Sequence, residues 1–201
     1  MEGSFFSHAL LTLLIFLQFS TNVASNPESG NTNIEYIRAS CSATSYRRLC
    51  FHSLSIYASK IRNNPKTLAN TALNITLKAA KSTSRMMIKM SRIPGLIPRE
   101  TAGAMADCIE LIGDSIEELQ DSIDELGHIR NSNFWLTMSD VQTWVSAALT
   151  DEDTCMDGLK GKPINGYTKT MLRRHILKVA HLTSNSLALI NSYASSNPSS
   201  P

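Results

Sequence analysis

Four cysteines are the residues of this sequence whose type and spacing most clearly predict chemistry: Cys41, Cys50, Cys108 and Cys155. They lack the Cys-x-x-Cys or His-rich spacing of a zinc site. In an oxidising compartment an even number of cysteines indicates disulfide bonds rather than reactive thiols. Four cysteines allow three pairings, and Cys41–Cys50 with Cys108–Cys155 is the simplest of them. In the chain-entropy model these two bonds contribute about 2.7 and about 4 kcal/mol.

Carboxylates form a second pattern, in which Glu110, Asp114, Glu117 and Asp121 follow one another at spacings of four, three and four residues. On a helix this spacing makes one acidic stripe. A further acidic group, Asp151-Glu152-Asp153 with Asp157, surrounds Cys155. A Cys108–Cys155 bond would bring the two groups together. They are then either an ordinary solvated surface or a docking face for a basic partner.

Catalytic motifs are missing from the sequence. Of the five histidines, His8 lies in the apolar N-terminal segment and the other four are scattered. Among these four, His175 falls among apolar residues, where a packed histidine is more common than a base. There is no Gly-x-Ser-x-Gly nucleophile elbow and no glycine-rich phosphate loop after a strand. We therefore expect neither an enzyme nor a bound cofactor or metal. The other three histidines are His52, His128 and His181.

The composition describes a globular protein of one domain, or at most two. The chain has 201 residues, is 42% hydrophobic and 18% charged, and contains few glycines, prolines and aromatic residues, which argues against a strand-rich fold. Its net charge of +2 is too small to predict a nucleic-acid partner. The charges are segregated, however: residues 35–99 hold 12 bases and one acid, residues 100–157 hold 14 acids and one base, and residues 158–201 hold six bases and no acid.

The N-terminus predicts secretion. Residues 5–19 are almost wholly apolar and Val23-Ala24-Ser25 offers small residues for cleavage, which is typical of a signal peptide covering residues 1–25. Residues 26–201 then form the mature domain, with a polar lead-in at 26–32 and a frayed tail from 195. No later apolar run is long enough to span a membrane. Asn74 begins the one Asn-x-Thr sequon, so we expect it to be exposed and glycosylated.

Apolar periodicity predicts an all-α fold. Four segments between breaker residues, about 65–92, 98–127, 133–160 and 166–193, carry apolar residues at alternating spacings of three and four. With short connections they should form an antiparallel up-down-up-down four-helix bundle over about 65–194. Asn64-Pro65 should begin the first of these helices. The predicted core positions are Leu68, Ala72, Ile75, Ala79 and Met86; Ile109, Ile112, Ile116, Leu119, Ile123 and Leu126; Phe134, Met138, Val141, Val145 and Ala148; and Leu172, His175, Val179, Leu182, Ser186 and Leu189.

Ahead of the bundle, residues 33–39 and 45–59 predict a short helical hairpin, over about 32–61. Cys41 lies between these two segments and Cys50 lies within the second, so a disulfide between them would staple the hairpin. Such a hairpin has too little apolar surface to fold alone. It must therefore pack on the bundle or on a partner.

These motifs together resemble the plant invertase and pectin methylesterase inhibitor family. The hairpin carries Cys-x-x-Thr-x-Tyr-x-x-x-Cys, from Cys41 to Cys50. The stretches "AMADCIELIGDSIEEL" at 104–119, "VQTWVSAALTDEDTCMDG" at 141–158 and "SNSLALI" at 184–190 are similar to the family's later helices. The resemblance covers about residues 32–194. It implies a four-helix bundle with an N-terminal hairpin, and disulfides that pair the first cysteine with the second and the third with the fourth.

The resemblance also implies a function, which is to bind plant cell-wall enzymes. The invertase-inhibiting branch carries a Pro-Lys-Phe motif between the last two cysteines, and this sequence has no proline there. The "TWVSAALT" stretch is typical of the other branch, which covers the substrate cleft of pectin methylesterase in a one-to-one complex. We therefore expect a secreted inhibitor of pectin methylesterase in the apoplast and cell wall. The residues that match the enzyme-facing positions of that branch are Glu110, Asp114, Glu117, Thr154 and Asp157.

Two alternatives stay open at this point. One is inhibition of acid invertase on the same fold, and the other is a structural or signalling bundle that binds wall polymer and inhibits neither enzyme. For the acidic positions the simpler interpretation is solvation, and for Thr154 it is a hydroxyl contact near the helix end. Gly113, where members of the family often carry a larger residue, predicts an interruption of the acidic helix.

Overall fold

A computed structural model of the chain describes residues 27–197, so the predicted signal peptide lies outside them. Within this range the chain is helical and contains no strand, which confirms the predicted all-α class. Two short 3-10 turns, Ser55–Tyr57 and Asn131–Asn133, join some of the helices. The seven α-helices are α1 (Pro27–Ser42), α2 (Arg47–Leu54), α3 (Ala58–Ile61), α4 (Pro65–Ser91), α5 (Arg99–Gly127), α6 (Phe134–Gly158) and α7 (Gly166–Ser195).

Helices α4 to α7 form the predicted four-helix bundle. Each helix packs against two others: α4 and α6 each contact both α5 and α7. Consecutive helices are joined by short loops and are antiparallel, as helices of this length with short connections must be. In the part of the chain that the structure describes, none of the helices is long and apolar enough to cross a membrane.

The start of α4 confirms the predicted cap. The Asn64 side chain accepts a hydrogen bond from the backbone N–H of Thr67 at 2.8 Å, and Pro65 occupies the first turn, where its missing N–H costs nothing. Asn165 caps α7 in the same way through Thr168, at 2.9 Å. These two caps fix where the basic helices of the bundle begin.

The core positions predicted for α6 are all buried, from Phe134 to Ala148. In α5 the prediction is half right. Ile112, Leu119 and Leu126 are fully buried, whereas the other three predicted core residues, all isoleucines, are only half-buried. Their places in the core are taken by the preceding residues, because these are bonded there: Cys108 to α6 and Ser115 to a buried carboxyl group. The displaced isoleucines are Ile109, Ile116 and Ile123, and the residues that replace them are Cys108, Ser115 and Ser122.

Similar shifts occur in α4 and α7. In α7 His175 is half-buried at the rim, and Ile176 is the residue that enters the core. In α4 Leu68 and Ala72 are buried, but Ile75, Ala79 and Met86 lie half-exposed, because α4 must satisfy both the bundle and the hairpin. The α4 residues that fill the bundle core are Ala69, Leu73, Leu77, Ala80, Met87 and Met90.

The hairpin differs from its prediction at both ends. Helix α1 begins at Pro27, so residues 27–32 are helical rather than a lead-in, as a proline in the first turn permits. The predicted 45–59 helix is divided into α2, a 3-10 turn and α3, and α3 stops where Arg62 and Asn63 adopt left-handed backbone angles. The last helix runs two residues further than predicted, to Ser195. The Cys41–Cys50 disulfide joins α1 to α2, with 5.6 Å between the Cα atoms.

The hairpin packs on the bundle. Leu54 and Ile61 are buried in one cluster with Leu68 of α4 and Leu189 of α7. The ring of Tyr46 stacks on His181 of α7, with 3.6 Å between ring centroids. The prediction that the hairpin needs a surface to pack on is confirmed, and that surface is the α4–α7 side of the bundle.

Candidate functional site

The Cys108–Cys155 disulfide joins α5 to α6, with 4.4 Å between the Cα atoms, and so confirms the second predicted pairing. It sets the acidic stripe of α5 beside the acidic end of α6. All five residues predicted to face a partner are exposed on these two helices. We call this surface the α5–α6 face, and it consists of Glu110, Asp114, Glu117, Thr154 and Asp157.

Asp157 lies at the edge of this face. It lines a groove of about 440 Å³ between the end of α6 and the start of α7, together with Lys169 and Arg173. Leu159 and Leu172 supply apolar wall to the same groove. Asp157 can therefore meet a partner in a setting of mixed charge, unlike the three carboxylates of α5.

Thr154 makes a hydroxyl contact within its own helix and also lies at an exposed groove, so both interpretations of this residue from the sequence stay compatible with the structure. Its hydroxyl donates to the carbonyl oxygen of Thr150 at 2.7 Å, which is the local helix contact. It also lines a shallow groove between α5 and α6, near Asp107 and Leu111. Because the hydroxyl's hydrogen is used within the helix, its exposed lone pair is free to accept a hydrogen bond from a partner.

Asp114 belongs to a cluster of carboxylates that crosses from α5 to α6. Glu118 and Asp151 lie close enough to share a hydrogen bond, and Asp114 is near both. Burial, then the neighbouring Asp151, raises the pKa of Glu118 to about 7. Burial, then Asp114, raises the pKa of Asp151. Glu118 is thus the carboxyl that keeps its proton and donates the hydrogen bond, and the Asp151 carboxylate accepts that bond.

Glu118 is not among the residues that the sequence singled out, and Asp151 stood out there only as a member of the acidic group around Cys155. The four-residue spacing from Asp114 to Glu118 places the two residues side by side on α5 and could have identified Glu118. The position of Asp151 beside Glu118 could not have been predicted in this way, because it depends on how α6 packs against α5. The α5–α6 face therefore borders a carboxyl pair, Glu118 and Asp151, in which burial and the neighbouring carboxylates raise both pKa values.

Glu152 is a clear correction, because the sequence grouped it with the exposed acids. Its side chain is fully buried in the bundle core. Oε1 accepts hydrogen bonds from Ser115 of α5 and Thr183 of α7, each at 2.8 Å, and Oε2 has no hydrogen-bond partner within the described range. Burial raises the pKa of Glu152 to about 8, although the two hydroxyls act in the opposite direction. The core spacing of Val145, Ala148 and Cys155 could have predicted this position.

The segregated charges stay unpaired. Among residues 31–197 the one ion pair is Arg38–Glu35, which is exposed and lies within α1. The acids of α5 and α6 therefore form no salt bridge with the bases of α4 and α7, so these charges are not neutralised by contacts between the helices. No group of three metal-ligating side chains occurs in this range either. The charged surface is available for partners.

Asn74 is exposed on α4, as the sequon predicts. Its Nδ2 donates to the carbonyl oxygen and the Oδ1 of Asn70, both at 2.8 Å. The position is accessible to modification, and glycosylation stays a prediction.

Comparison with known proteins places these features in a family. The model of the plant invertase/pectin methylesterase inhibitor family matches residues 35–189. Pectinesterase inhibitor 10 of Arabidopsis thaliana is 51% identical over 174 residues, which is 85% of this chain and 55% of the relative. The chain thus spans about half the length of that relative. Pectinesterase inhibitor 9 of the same plant is 42% identical over 96% of this chain and 95% of its own length.

A solved structure agrees with the fold. The crystal structure of a mutant form of a pectin methylesterase inhibitor from Arabidopsis matches with a TM-score of 0.58, over 75% of this chain and 92% of that one. The two sequences are 22% identical over the match. At this level of identity the similarity shows a common fold.

Proposed function

Because the chain belongs to the plant invertase/pectin methylesterase inhibitor family, we propose that it is a secreted inhibitor of pectin methylesterase. It is not an enzyme, since the family is one of inhibitors. It forms a one-to-one, non-covalent complex that covers the substrate cleft of the esterase in the cell wall. It thereby limits the removal of methyl esters from pectin.

One observation supports this function most directly. A relative named as a pectinesterase inhibitor matches the chain over nearly the whole length of both proteins. The structure adds a suitable surface, the α5–α6 face, whose acids are exposed and unpaired and whose two helices are fixed to each other by the Cys108–Cys155 bond. A rigid charged surface speeds association and avoids the cost of ordering on binding. We place the esterase contact there.

Inhibition of pectin methylesterase is tested by adding the purified protein to plant esterase and titrating the released methanol or acid. We expect activity to fall in proportion to added protein until one inhibitor is present per enzyme. Full esterase activity with several isoforms, between about pH 5 and about pH 7, would refute the proposal. A parallel assay of sucrose hydrolysis by acid invertase separates the two branches of the family, and we expect that activity to be unchanged.

A further inference from the structure

The side of the bundle opposite the α5–α6 face contains a groove of about 450 Å³ where α2, α4 and α7 meet. We call it the basic trough. Its floor is apolar, made by Leu49, Ile75 and Leu182. Its rim is polar and exposed, and carries His52, Lys78 and Lys178.

The trough is positively charged because its helices carry no carboxylate. Arg47–Leu54, Pro65–Ser91 and Gly166–Ser195 contain bases but no Asp or Glu. None of the rim residues takes part in an ion pair within the described part of the chain, and the acids of the bundle lie on the other two helices. The rim therefore presents an uncompensated positive potential to solvent.

We propose that the basic trough binds an acidic polysaccharide made of uronate sugars. A chain of such sugars has apolar C–H faces, which match the floor, and a carboxylate on every unit, which matches the cations of the rim. The choice of a uronate polymer rests on the proposed function, because esterase action on pectin produces that polymer where the inhibitor works. The trough is thus a second binding surface, distinct from the surface that meets the enzyme.

The two surfaces can be occupied together. The trough lies between α4 and α7, and the α5–α6 face lies on the opposite pair of helices of the ring. Binding to the polymer would therefore leave the enzyme-facing side free. It would also hold the inhibitor near newly de-esterified pectin, which raises its effective concentration at the enzyme.

The test uses the full mature protein, without esterase, and polygalacturonate as the probe. Binding is measured by co-sedimentation or calorimetry at low salt, with a chelator present so that calcium cannot bridge the polymer to the acidic helices. We expect saturable binding that weakens as salt is added, because salt screens exposed charges. Fully methyl-esterified pectin, which lacks the carboxylates, should not bind. Absence of binding to polygalacturonate, or equal binding to both polymers, would overturn the proposal.

The position of the site is tested by charge reversal. We expect Lys78→Glu with Lys178→Glu to weaken polygalacturonate binding by roughly tenfold. The matched control is Lys160→Glu with Lys169→Glu, which makes the same change of net charge in the α6–α7 groove and should leave binding within roughly twofold of the unmodified protein. An equal loss in both variants would show attraction to net charge alone and would refute the trough.

Specificity is tested with polyglutamate and dextran sulfate, two polyanions that contain no uronate sugar. Binding of either as tight as that of polygalacturonate would show a general polyanion surface and overturn the assignment to uronates. The result does not depend on the proposed function, since no esterase is present. Esterase inhibition by the Lys78→Glu with Lys178→Glu variant should be unchanged, which would show that the variant is folded. Loss of polymer binding with intact inhibition therefore distinguishes the trough proposal from the proposed function.

Discussion

The side-chain amide of Asn185 in α7 bonds to both backbone polar groups of Tyr46, 139 residues away in the chain. Its Nδ2 donates to the Tyr46 carbonyl oxygen, and its Oδ1 accepts from the Tyr46 N–H, each at 3.1 Å. Tyr46 precedes α2, so this pair of bonds fixes the hairpin on the bundle at the point where α2 begins. The amide suits this role because it carries a donor and an acceptor on two separate atoms, which can meet the N–H and the carbonyl oxygen of one residue.

We expect Asn185→Ala to lower the free energy of unfolding by roughly 1–3 kcal/mol, because it leaves the Tyr46 N–H without a partner in a partly buried position and removes one of the two hydrogen bonds to the Tyr46 carbonyl oxygen. Chemical denaturation measures the change. The control is Asn191→Ala on the same helix, which removes an exposed hydrogen bond to Gln142 and should cost less than about 0.5 kcal/mol. Equal effects of the two substitutions would contradict the role assigned to Asn185.

The buried carboxyl of Glu152 should make the protein less stable as the pH rises. Its pKa in the folded protein is about 8, above the ordinary value of 4.5, so the folded state keeps a proton that the unfolded state releases. This stabilisation is complete below about pH 4.5 and is lost as the pH rises to about 8. Glu118, with a pKa of about 7, adds a contribution of the same sign over a narrower range.

Glu152→Gln is expected to reduce the fall in melting temperature between about pH 5 and about pH 8. Gln has the same shape and can still accept from Ser115 and Thr183, but it does not titrate. Part of the pH dependence should remain, owing to Glu118. Asp107→Asn, at an exposed position of α5 that is not among the charges acting on the pKa of Glu152, is the control and should leave the profile unchanged. A Glu152→Gln profile as steep as that of the unmodified protein would show that Glu152 is not the titrating group.

Reversal of charge on the α5–α6 face should weaken inhibition and leave the fold intact. We expect Asp114→Lys with Glu117→Lys to raise the inhibition constant for pectin methylesterase by on the order of tenfold or more. The melting temperature should not fall, because both side chains are exposed and Asp114 repels the charged forms of Glu118 and Asp151. The inhibition constant comes from esterase titration and the melting temperature from circular dichroism.

Glu35→Lys with Asp140→Lys changes the net charge equally outside the acidic stripe, at one exposed and one half-exposed position. This control should inhibit as well as the unmodified protein. Comparable inhibition constants for all three proteins would remove the α5–α6 face as the contact.

Gly113 offers a prediction on stability. The sequence indicated an interruption of the helix there, but α5 continues through it from Arg99 to Gly127. Apart from the adjacent residues and the backbone of the helix itself, no atom lies within 4 Å of the place where a Cβ would stand. Gly113→Ala should therefore raise the free energy of unfolding by about 0.5–1 kcal/mol, because alanine restricts the unfolded chain and favours helix. Denaturation with urea measures it.

Gly161→Ala should have the opposite effect. Gly161 has φ +75°, a left-handed angle that disfavours a side chain, although there is also space for the added Cβ. A stabilised Gly161→Ala or a destabilised Gly113→Ala would contradict this account of the two glycines.

Much of the fold could be predicted from patterns within short stretches of the sequence. The cap at Asn64-Pro65, the four long helices and the core row from Phe134 to Ala148 follow from spacing and helix chemistry, which act within a few residues and can be read from a single segment. The hairpin boundaries were less accurate, because the division of α2 from α3 depends on how that segment fits the bundle. The core rows of α4 and α5 were displaced by one residue for a similar reason: bonds to other helices place Cys108 and Ser115 inward instead of the isoleucines.

The sequence by itself determined the helical class, the four-helix arrangement, the disulfide-forming cysteines and the separation of acidic from basic helices. Only the tertiary structure decided which of those charges meet. It buried Glu152 between Ser115 and Thr183, and it paired Glu118 with Asp151. It also left the bases beside the hairpin without partners at an apolar groove. The physical reason is that helix formation depends on neighbours in the chain, whereas burial, pKa and surface potential depend on neighbours in space.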